Sequence, residues 1–490
     1  MKNIYKIVFL VCILIASILT SCRKDIIDTN TSLKLKFSSD SILFDTVFVT
    51  LGSVTKRLKV YNPSEDKVII SKIKLAGGNN SFYRLNVDGT PTREIDKIEI
   101  EGKDSLYIFI EVTVDPNQAL LPFIIKDSIE FTTNGNFQAV VLEAWGRNAR
   151  FYRPDSQIQG LPPFFALSSN TTWTNDLPVV IFGYLVVDSG ITLTIEAGTK
   201  VHFYNNSGMW VYKEGTLIVN GTLQDSVIFQ GVRQEEQYKE RPGQWDRIWI
   251  NQGSMNNRIS HAVIKNGFIG IQAENVMAFG ETGPSNLRIE NTQIRNMSGY
   301  GIFGSNYTIQ GDNLLITNCG GYATVLVRGG NYRFRHCTFA NYWTSSIRST
   351  PTLFFNNYQV GQGNSISAKP LTACYFGNCI IYGNISNNSE VEYDSDPGAA
   401  FNFTFDHCLM KITDEFRALY PDRFINTQTN QDPQFGNPAE RNFKLKANSP
   451  AIDAGNLGIT NQAPTLQLDL LGNDRTSDGL PDLGAIEFIP

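Results

Sequence analysis

The chain has 490 residues, with 42 Lys+Arg against 47 Asp+Glu and a formal net charge of -5, so bulk charge does not recruit nucleic acid or an anionic bilayer surface. Only 18% of residues are charged, while 40 are Gly and 11% are aromatic, which excludes a coiled coil or a disordered chain and fits a turn-rich all-β protein. Four histidines leave little room for His-based metal or acid–base sites.

Lys2 and Lys6 precede an apolar run of 14 residues, Ile7 to Thr20, too short and too early for a spanning helix. Residues 1–21 therefore read as a signal peptide. Its end, Leu19-Thr20-Ser21-Cys22, resembles the lipobox of bacterial lipoproteins. The resemblance implies that Cys22 becomes an acylated N-terminus, that 22–32 is a tether, and that the lipid bilayer is a partner. Arg23 stands where the inner-membrane retention signal has Asp, which implies an outer-membrane address. Arg23-Lys24-Asp25 is similar to the charged export tags of Bacteroidetes surface lipoproteins, and the cell surface and the periplasmic face both stay open. Without Cys12 and Cys22, five cysteines remain (Cys319, Cys337, Cys374, Cys379 and Cys408), an odd number with no CxxC, so neither a disulfide framework nor a zinc cluster is expected.

Residues 33–146 alternate apolar and polar side chains, as in Arg57-Leu58-Lys59-Val60-Tyr61 and Leu106-Tyr107-Ile108-Phe109-Ile110-Glu111-Val112. Turn clusters such as Asn62-Pro63-Ser64 and Gly77-Gly78-Asn79-Asn80 separate these runs. The pattern predicts an antiparallel sandwich of short strands. The wording from Phe44-Asp45-Thr46-Val47-Phe48 to Ala144-Trp145-Gly146 resembles Ig-like domains near the N-termini of Bacteroidetes surface proteins, which implies a spacer or interaction module. Residues 147–164 are predicted as a linker.

A repeat follows. Segments beginning at Ile259, Ile289, Gly311, Phe334, Phe376 and Phe405 share the order apolar, x, Asn/His, small or apolar, x, apolar, x, and most often Asn, at offsets of 30, 22, 23, 42 and 29 residues. A minimum near 22 suits one turn of a winding of parallel strands, with extra residues leaving as loops. Apolar positions 1, 4 and 6 break the period of two at position 3, where Asn tolerates a left-handed bend and its amide can bond along a ladder. With Leu193-Thr194-Ile195 and Leu217-Ile218-Val219 upstream, residues 165–430 resemble right-handed parallel β-helix proteins of the pectin-lyase-like superfold. The register across 342–375 stays open. The expected fold is thus all-β, an antiparallel Ig-like sandwich followed by a right-handed parallel β-helix solenoid. Residues 431–490, with Ser449-Pro450-Ala451-Ile452-Asp453 and Asp482-Leu483-Gly484-Ala485, resemble the choice-of-anchor Q domain and are expected to cap the open solenoid end.

The candidate sites follow from this alignment. Cys337, Cys379 and Cys408 share position 4 and read as core, while His261, His336 and His407 share the bend position and read as hydrogen-bonded bend residues. Position 2, expected to face outward, reads Ser260, Glu290, Asp312, Arg335, Gly377 and Asp406. In register, Glu290 and Asp312 would lie about 4.8 Å apart, near a retaining-glycosidase pair. Arg335 beside them would supply the cation of a lyase, and cross-strand ion pairing is the plainer account. The loop Arg233 to Arg241 is a charged insertion suited to framing a groove or simply to being solvated. Trp249, Tyr332 and Trp343, together with Trp210 and Tyr342, are candidates to stack on sugar rings. Asp469, Asp474, Asp478 and Asp482 are weak calcium candidates, and no cofactor is otherwise expected. Together these features point to an outer-membrane lipoprotein presenting its β-helix to a polysaccharide or a cell-surface protein, without catalysis and with no nucleic acid. A polysaccharide lyase or glycoside hydrolase and a structural spacer or adhesin rod are the alternatives.

Overall fold

A computed structural model describes residues 26–48, 51–113, 123–275, 285–385 and 389–490, in two units, Met1–Asn148 and Ala149–Pro490. The signal segment 1–21 and Cys22 lie outside the described residues. No described helix is long and apolar enough to cross a membrane.

The first unit is built of strands, with one 3-10 turn at Gly78–Asn80. Its elements are β1 (Lys36–Phe37), β2 (Ser41–Phe48), β3 (Lys56–Tyr61), β4 (Val68–Leu75), β5 (Tyr83–Val87), β6 (Thr90–Thr92), β7 (Glu94–Ile100), β8 (Ser105–Val112), β9 (Phe123–Thr133) and β10 (Asn136–Arg147). They form two five-stranded sheets, β1-β3-β8-β5-β6 and β2-β10-β9-β4-β7. The alternation acts as expected: β8 buries Leu106, Ile108, Ile110 and Val112 and turns Tyr107, Phe109 and Glu111 outward. In β4 a bulge between Ile70 and Lys72 shifts the phase by one residue, so that Val68, Ile70, Ile73 and Leu75 all reach the core. One pairing departs from the antiparallel expectation. β2 and β10, from opposite ends of the unit, run parallel. A hairpin joins only strands that are neighbours in sequence, so two distant strands have no such constraint on their direction.

In the second unit, strand after strand pairs in parallel with one a full circuit further along the chain. An eleven-stranded sheet runs from Arg150–Tyr152 to Gln428–Thr429, and a seventeen-stranded sheet from Phe164–Leu167 to Phe424–Ile425. The stretch 147–164, expected as a linker, already contributes Arg150–Tyr152, paired with Val179–Ile181. The aligned segments stack in one register: Ser260 pairs with Glu290, Glu290 with Asp312, Asp312 with Arg335, Arg335 with Gly377, and Gly377 with Asp406. The 42-residue step is absorbed by the strand-free stretch 342–352 and by a hairpin, Tyr358–Val360 with Ile366–Ala368, on either side of the regularly stacked strand Leu353–Asn356. Position 3 is left-handed throughout, with φ of 49° at His261, 46° at Asn291, 54° at Asn313, 50° at His336, 52° at Asn378 and 50° at His407. Inside, Phe334, Phe376, Phe405 and Phe424 stack at 5.3, 5.3 and 5.4 Å between successive ring centroids. Gly311 leaves room for this ladder, because a Cβ there would stand 2.5 Å from the Phe334 ring.

The C-terminal segment does not cap an end of the stack. It lies along its side. Phe435, Phe443, Leu445, Ala451, Leu483 and Ala485 pack on Leu315, Ala340, Ile380 and Leu409, the outward residues of the eleven-stranded sheet. Those side chains are apolar where a solvated face would be polar, and covering them is what the segment does. The end of the core is closed instead by residues 413–424. Thr413 caps the short helix Asp414–Leu419 by accepting from the Phe416 amide, and Phe416 and Tyr420 pack against Phe403.

Candidate functional site

The position-2 column is in the expected register and in an unexpected environment. Glu290 is 1% exposed, Asp312 0% and Arg335 3%. Arg335 grips Asp312 through both arms, Nε to Oδ1 at 2.8 Å and Nη2 to Oδ2 at 2.7 Å. Glu290 is held by Arg258 at 2.9 Å and Arg288 at 2.5 Å, and Arg288 reaches to 4.0 Å of Asp312. Gln462 of the C-terminal segment accepts from Arg333 and from Arg335. The expectation that Glu290 and Asp312 present a carboxylate pair to solvent is therefore corrected: guanidiniums and the covering segment seal them. Neither acid can be approached by a glycosidic bond, and the arrangement serves as ionic pinning of one circuit to the next.

The middle of the bend column, Asn313, His336 and Asn378, is sealed in the same way, while His261, Asn291 and His407 stay partly exposed. Asn313 Nδ2 donates to Asn291 Oδ1 at 2.9 Å and to the Thr465 and Leu468 carbonyls at 2.7 and 3.0 Å. Asn378 donates to the Asn456 carbonyl and accepts from its amide, and His336 Nε2 lies 2.9 Å from Thr460 Oγ1. Burial, with Arg475 and Arg335 nearby, holds His336 well below the ordinary imidazole range, so it is neutral. Cys319, Cys337, Cys374, Cys379 and Cys408 are all free and buried, and burial pushes Cys319 up to about 12.

The aspartates of the C-terminal segment are turn acceptors. Asp469 accepts from the Leu471, Asn473 and Glu487 amides, Asp482 from the Asp453 and Phe488 amides, and exposed Asp474 from Thr476; Asp478 is exposed as well. Asp469 and Asp482 spend their oxygens on backbone donors, so the calcium grouping is not assembled. Among the described residues no group of three or more His, Cys, Asp or Glu side chains is placed to hold a metal ion. The insertion at 233–241 is docked at its C-terminal end and solvated before it: Glu240 pairs with Arg295 at 2.6 Å, and the Glu240 and Lys239 carbonyls accept from Asn296 and Asn266, while Glu236 and Gln237 are exposed.

Of the three aromatic candidates, Tyr332 is fully buried in the core, its hydroxyl donating to the Gly329 carbonyl, and Trp343 is 6% exposed with Nε1 donating to Ser346. Both are corrected to packing residues. Tyr332 falls on an inward register between Ile309 and Cys374. Trp249 is half-buried on the outer face. It stacks on Trp210 at 5.0 Å and 16°, and its Nε1 donates to Glu274 at 2.7 Å.

Trp249 begins a feature missed from the sequence. Its column continues through Gln272, Phe303, Val325, Phe354 and Glu392 on successive strands. Tyr300 and Tyr322 flank it, 6.1 Å from Phe303 and 5.7 Å from Phe354, and the Tyr322 hydroxyl donates to Glu392 at 2.6 Å. The half-buried rings of Trp249 and Phe303 are separated by Gln272, and those of Phe303 and Phe354 by Val325, while a chain of planar groups runs alongside: Asp246 bonded to Arg247, Arg247 to Gln272, and Gln272 to Glu274. Beyond Glu392 the stripe runs into a cleft of about 440 Å³ lined by Val391, Tyr393, Glu415, Phe416 and Leu419. These strands fall outside the eight-residue repeat, so aligning the repeat did not bring their aromatics together.

No family model matches the sequence, and no curated protein matches it. Among solved structures, a Clostridium perfringens family 123 glycoside hydrolase studied for glycolipid glycan hydrolysis is similar at 10% identity over 25% of this chain and 30% of its own, with a TM-score of 0.18. A Porphyromonas gingivalis protein of unknown function matches at 12% identity over 27% of this chain and 57% of its own, TM-score 0.18. The E. coli chaperone DraB matches at 8% identity over 24% of this chain and 55% of its own, TM-score 0.17. The chain thus spans less than two thirds of each of these proteins.

Proposed function

We propose that this chain is an outer-membrane lipoprotein, anchored through acylated Cys22, that binds glycan without acting on it. In this reading the first unit is an Ig-like spacer, the second is a right-handed parallel β-helix of the pectin-lyase-like superfold, and residues 431–490 are a choice-of-anchor-Q-like segment laid along its side. The observation that carries the binding role is the outward column from Trp249 to Glu392. Aromatic rings suit the apolar faces of sugars, and the carboxylates and amides between them suit the hydroxyls. The acids best placed by sequence for catalysis, Glu290 and Asp312, are instead engaged with guanidiniums.

The test incubates the full chain with plant, algal and host polysaccharides. Binding is measured by calorimetry and released products by mass spectrometry. The expectation is binding to at least one neutral glycan, weakened about tenfold or more in Trp249→Ala and Phe303→Ala, with no new chain ends. Soluble oligosaccharides would replace the binding role with a lyase or hydrolase, and binding unchanged in both variants would remove the stripe from it.

A further inference from the structure

The two sheets of the first unit meet solvent in different ways. On the outward face of β2-β10-β9-β4-β7, Lys72, Lys74 and Lys126 pair with Glu94, Glu130 and Glu143. On the outward face of β1-β3-β8-β5-β6 the cations meet rings instead. There β3 presents Arg57, Lys59 and Tyr61, and β8 presents Phe109 opposite Arg57 and Tyr107 opposite Lys59. The Lys59 ammonium lies 5.1 Å from the Tyr61 ring centroid and 5.3 Å from that of Tyr107, and Tyr107 and Phe109 stack at 6.3 Å. Tyr61, Tyr107 and Phe109 are 37%, 39% and 41% exposed. Lys36, opposite Tyr61 on β1, and Arg84 on β5 add exposed cations to the same face. Its acids are Glu111, which accepts from Thr55, and Asp88 at the β5–β6 turn. Among the described residues none of Lys36, Arg57, Lys59 and Arg84 forms an ion pair.

The N-terminal chain leads to the same end of this face. From Ile26 onward it is stitched to the unit: the Lys67 amide donates to the Ile26 carbonyl, the Asp28 amide to the Lys67 carbonyl, and the Asn134 and Asn136 side chains to the Asp28 and Thr31 carbonyls. Tyr61 and Lys67 bound the short β3–β4 connection, so the chain enters beside the Tyr61–Lys36 end of the sheet. Cys22 stands four residues before Ile26, a reach of about 14 Å at full extension. From these observations we infer that the outward face of β1, β3, β8 and β5 is a docking surface for a bilayer with anionic headgroups. Its closeness to lipid rests on the Cys22 anchor proposed above, whereas the pattern of rings and cations does not. Rings of this kind settle at headgroup depth, and cations between them reach the lipid phosphates. The whole chain, at a net charge of -5, has no bulk attraction to such a surface, so the attraction is local to this face. An acidic polypeptide would satisfy the cations and give the rings no apolar layer to enter.

The experiment uses the chain from residue 22 with Cys22→Ser, so that no acyl group contributes. The probes are vesicles of phosphatidylcholine, alone or in equal parts with phosphatidylglycerol, and soluble polyglutamate. Co-sedimentation should show binding to the anionic vesicles only, falling as salt is raised. Arg57→Gln with Lys59→Gln should weaken it at least about tenfold, as should Tyr107→Ser with Phe109→Ser, and Lys59→Arg should keep it. Lys72→Gln with Lys74→Gln, and Trp145→Ala, all on the opposite sheet, should leave it unchanged. If the Arg57 and Lys59 variant does not fold, Lys36→Gln with Arg84→Gln carries the test. No binding to anionic vesicles, equal binding to neutral ones, full binding by the cation or ring variants, or polyglutamate bound as tightly would overturn the inference. The mass of the N-terminal peptide of the wild-type protein reads acylation of Cys22 separately, so failure of the anchor and failure of this face are told apart.

Discussion

Two sides of the second unit are built on the same parallel strands and have opposite fates. One carries the middle of the bend column, where Asn313, His336 and Asn378 line up on successive circuits, and beside it the apolar outward residues of the eleven-stranded sheet, and residues 431–490 cover both. The other carries the Trp249–Glu392 column, with the aromatic groups half-buried and open to solvent. On the covered side, alignment of polar groups is a construction device. Asn313, Asn378 and His336 satisfy the backbone and side chains of the covering segment, and Asp312 and Arg335 satisfy each other. A column of acids, amides and imidazoles is therefore no sign of a site until its exposure is known.

The sharpest way to break this contrast is to remove one partner on the covered side. Asp312→Ala leaves Arg335 buried with only Gln462 to accept from it, and an unpaired buried charge costs about 3–5 kcal/mol. Chemical denaturation, followed on a probe in the second unit so that the two units are not averaged, should show that loss. Replacing both partners by apolar residues, Asp312→Leu with Arg335→Met, should recover most of it. A single variant as stable as the wild type would mean that the pair is not sealed.

The next largest effect concerns the covering segment itself. Gly484 has φ +92°, and its amide donates to the Asn378 carbonyl. A Cβ there would stand 2.5 Å from Thr338 Oγ1 and 2.9 Å from Ile380. Gly484→Ala should cost about 3 kcal/mol, from left-handed strain and overpacking together, and should raise the rate of proteolysis within 431–490 ahead of the strands beneath. Uniform protection in the variant would mean that the segment does not depend on this close approach.

Much of this was legible in the sequence, and the rest failed for identifiable reasons. The period, the inward Cys column and the left-handed bend were readable because each rests on local backbone chemistry repeated six times. What a column faces depends on another part of the chain. Position 2 does lie on the outer surface of the sheet, but nothing in its own segments announces that Arg258, Arg288 and Gln462 will roof it. Tyr332 looked exposed because a single aromatic carries no phase; its strand, Thr324–Arg335, bends within its length, so alternation counted from one end fails at the other. The side-lying role of 431–490 is signalled only by the apolar outward residues Leu315, Ala340, Ile380 and Leu409, at positions the repeat template leaves unspecified.

The smallest expected effect distinguishes burial from mere hydrogen bonding on the covered side, and it is a pH effect. His336 is neutral because protonation would place a charge in a buried site beside Arg335 and Arg475. Its folded pKa lies below the unfolded value near 6.5, so its contribution to stability is complete above that value and is lost as pH falls below it. Glu487 works in the other direction. Burial pushes it up to about 8 against the pull of Arg475, so its contribution is complete below pH 4.5 and fades as pH rises toward 8. The wild-type profile therefore sums opposing slopes, and the comparison has to be made by difference. His336→Asn keeps a residue that takes the left-handed bend at Asn291, Asn313 and Asn378, while removing the titrating group. The variant is expected to be less stable than wild type by about 1 kcal/mol at pH 7, through the lost contact to Thr460. That gap should close or reverse as pH is lowered from 6.5 to 5, at a limiting slope of about 1.4 kcal/mol per pH unit. A gap constant across that range would mean that His336 titrates as it does in water, and that the covering segment leaves the bend column wet.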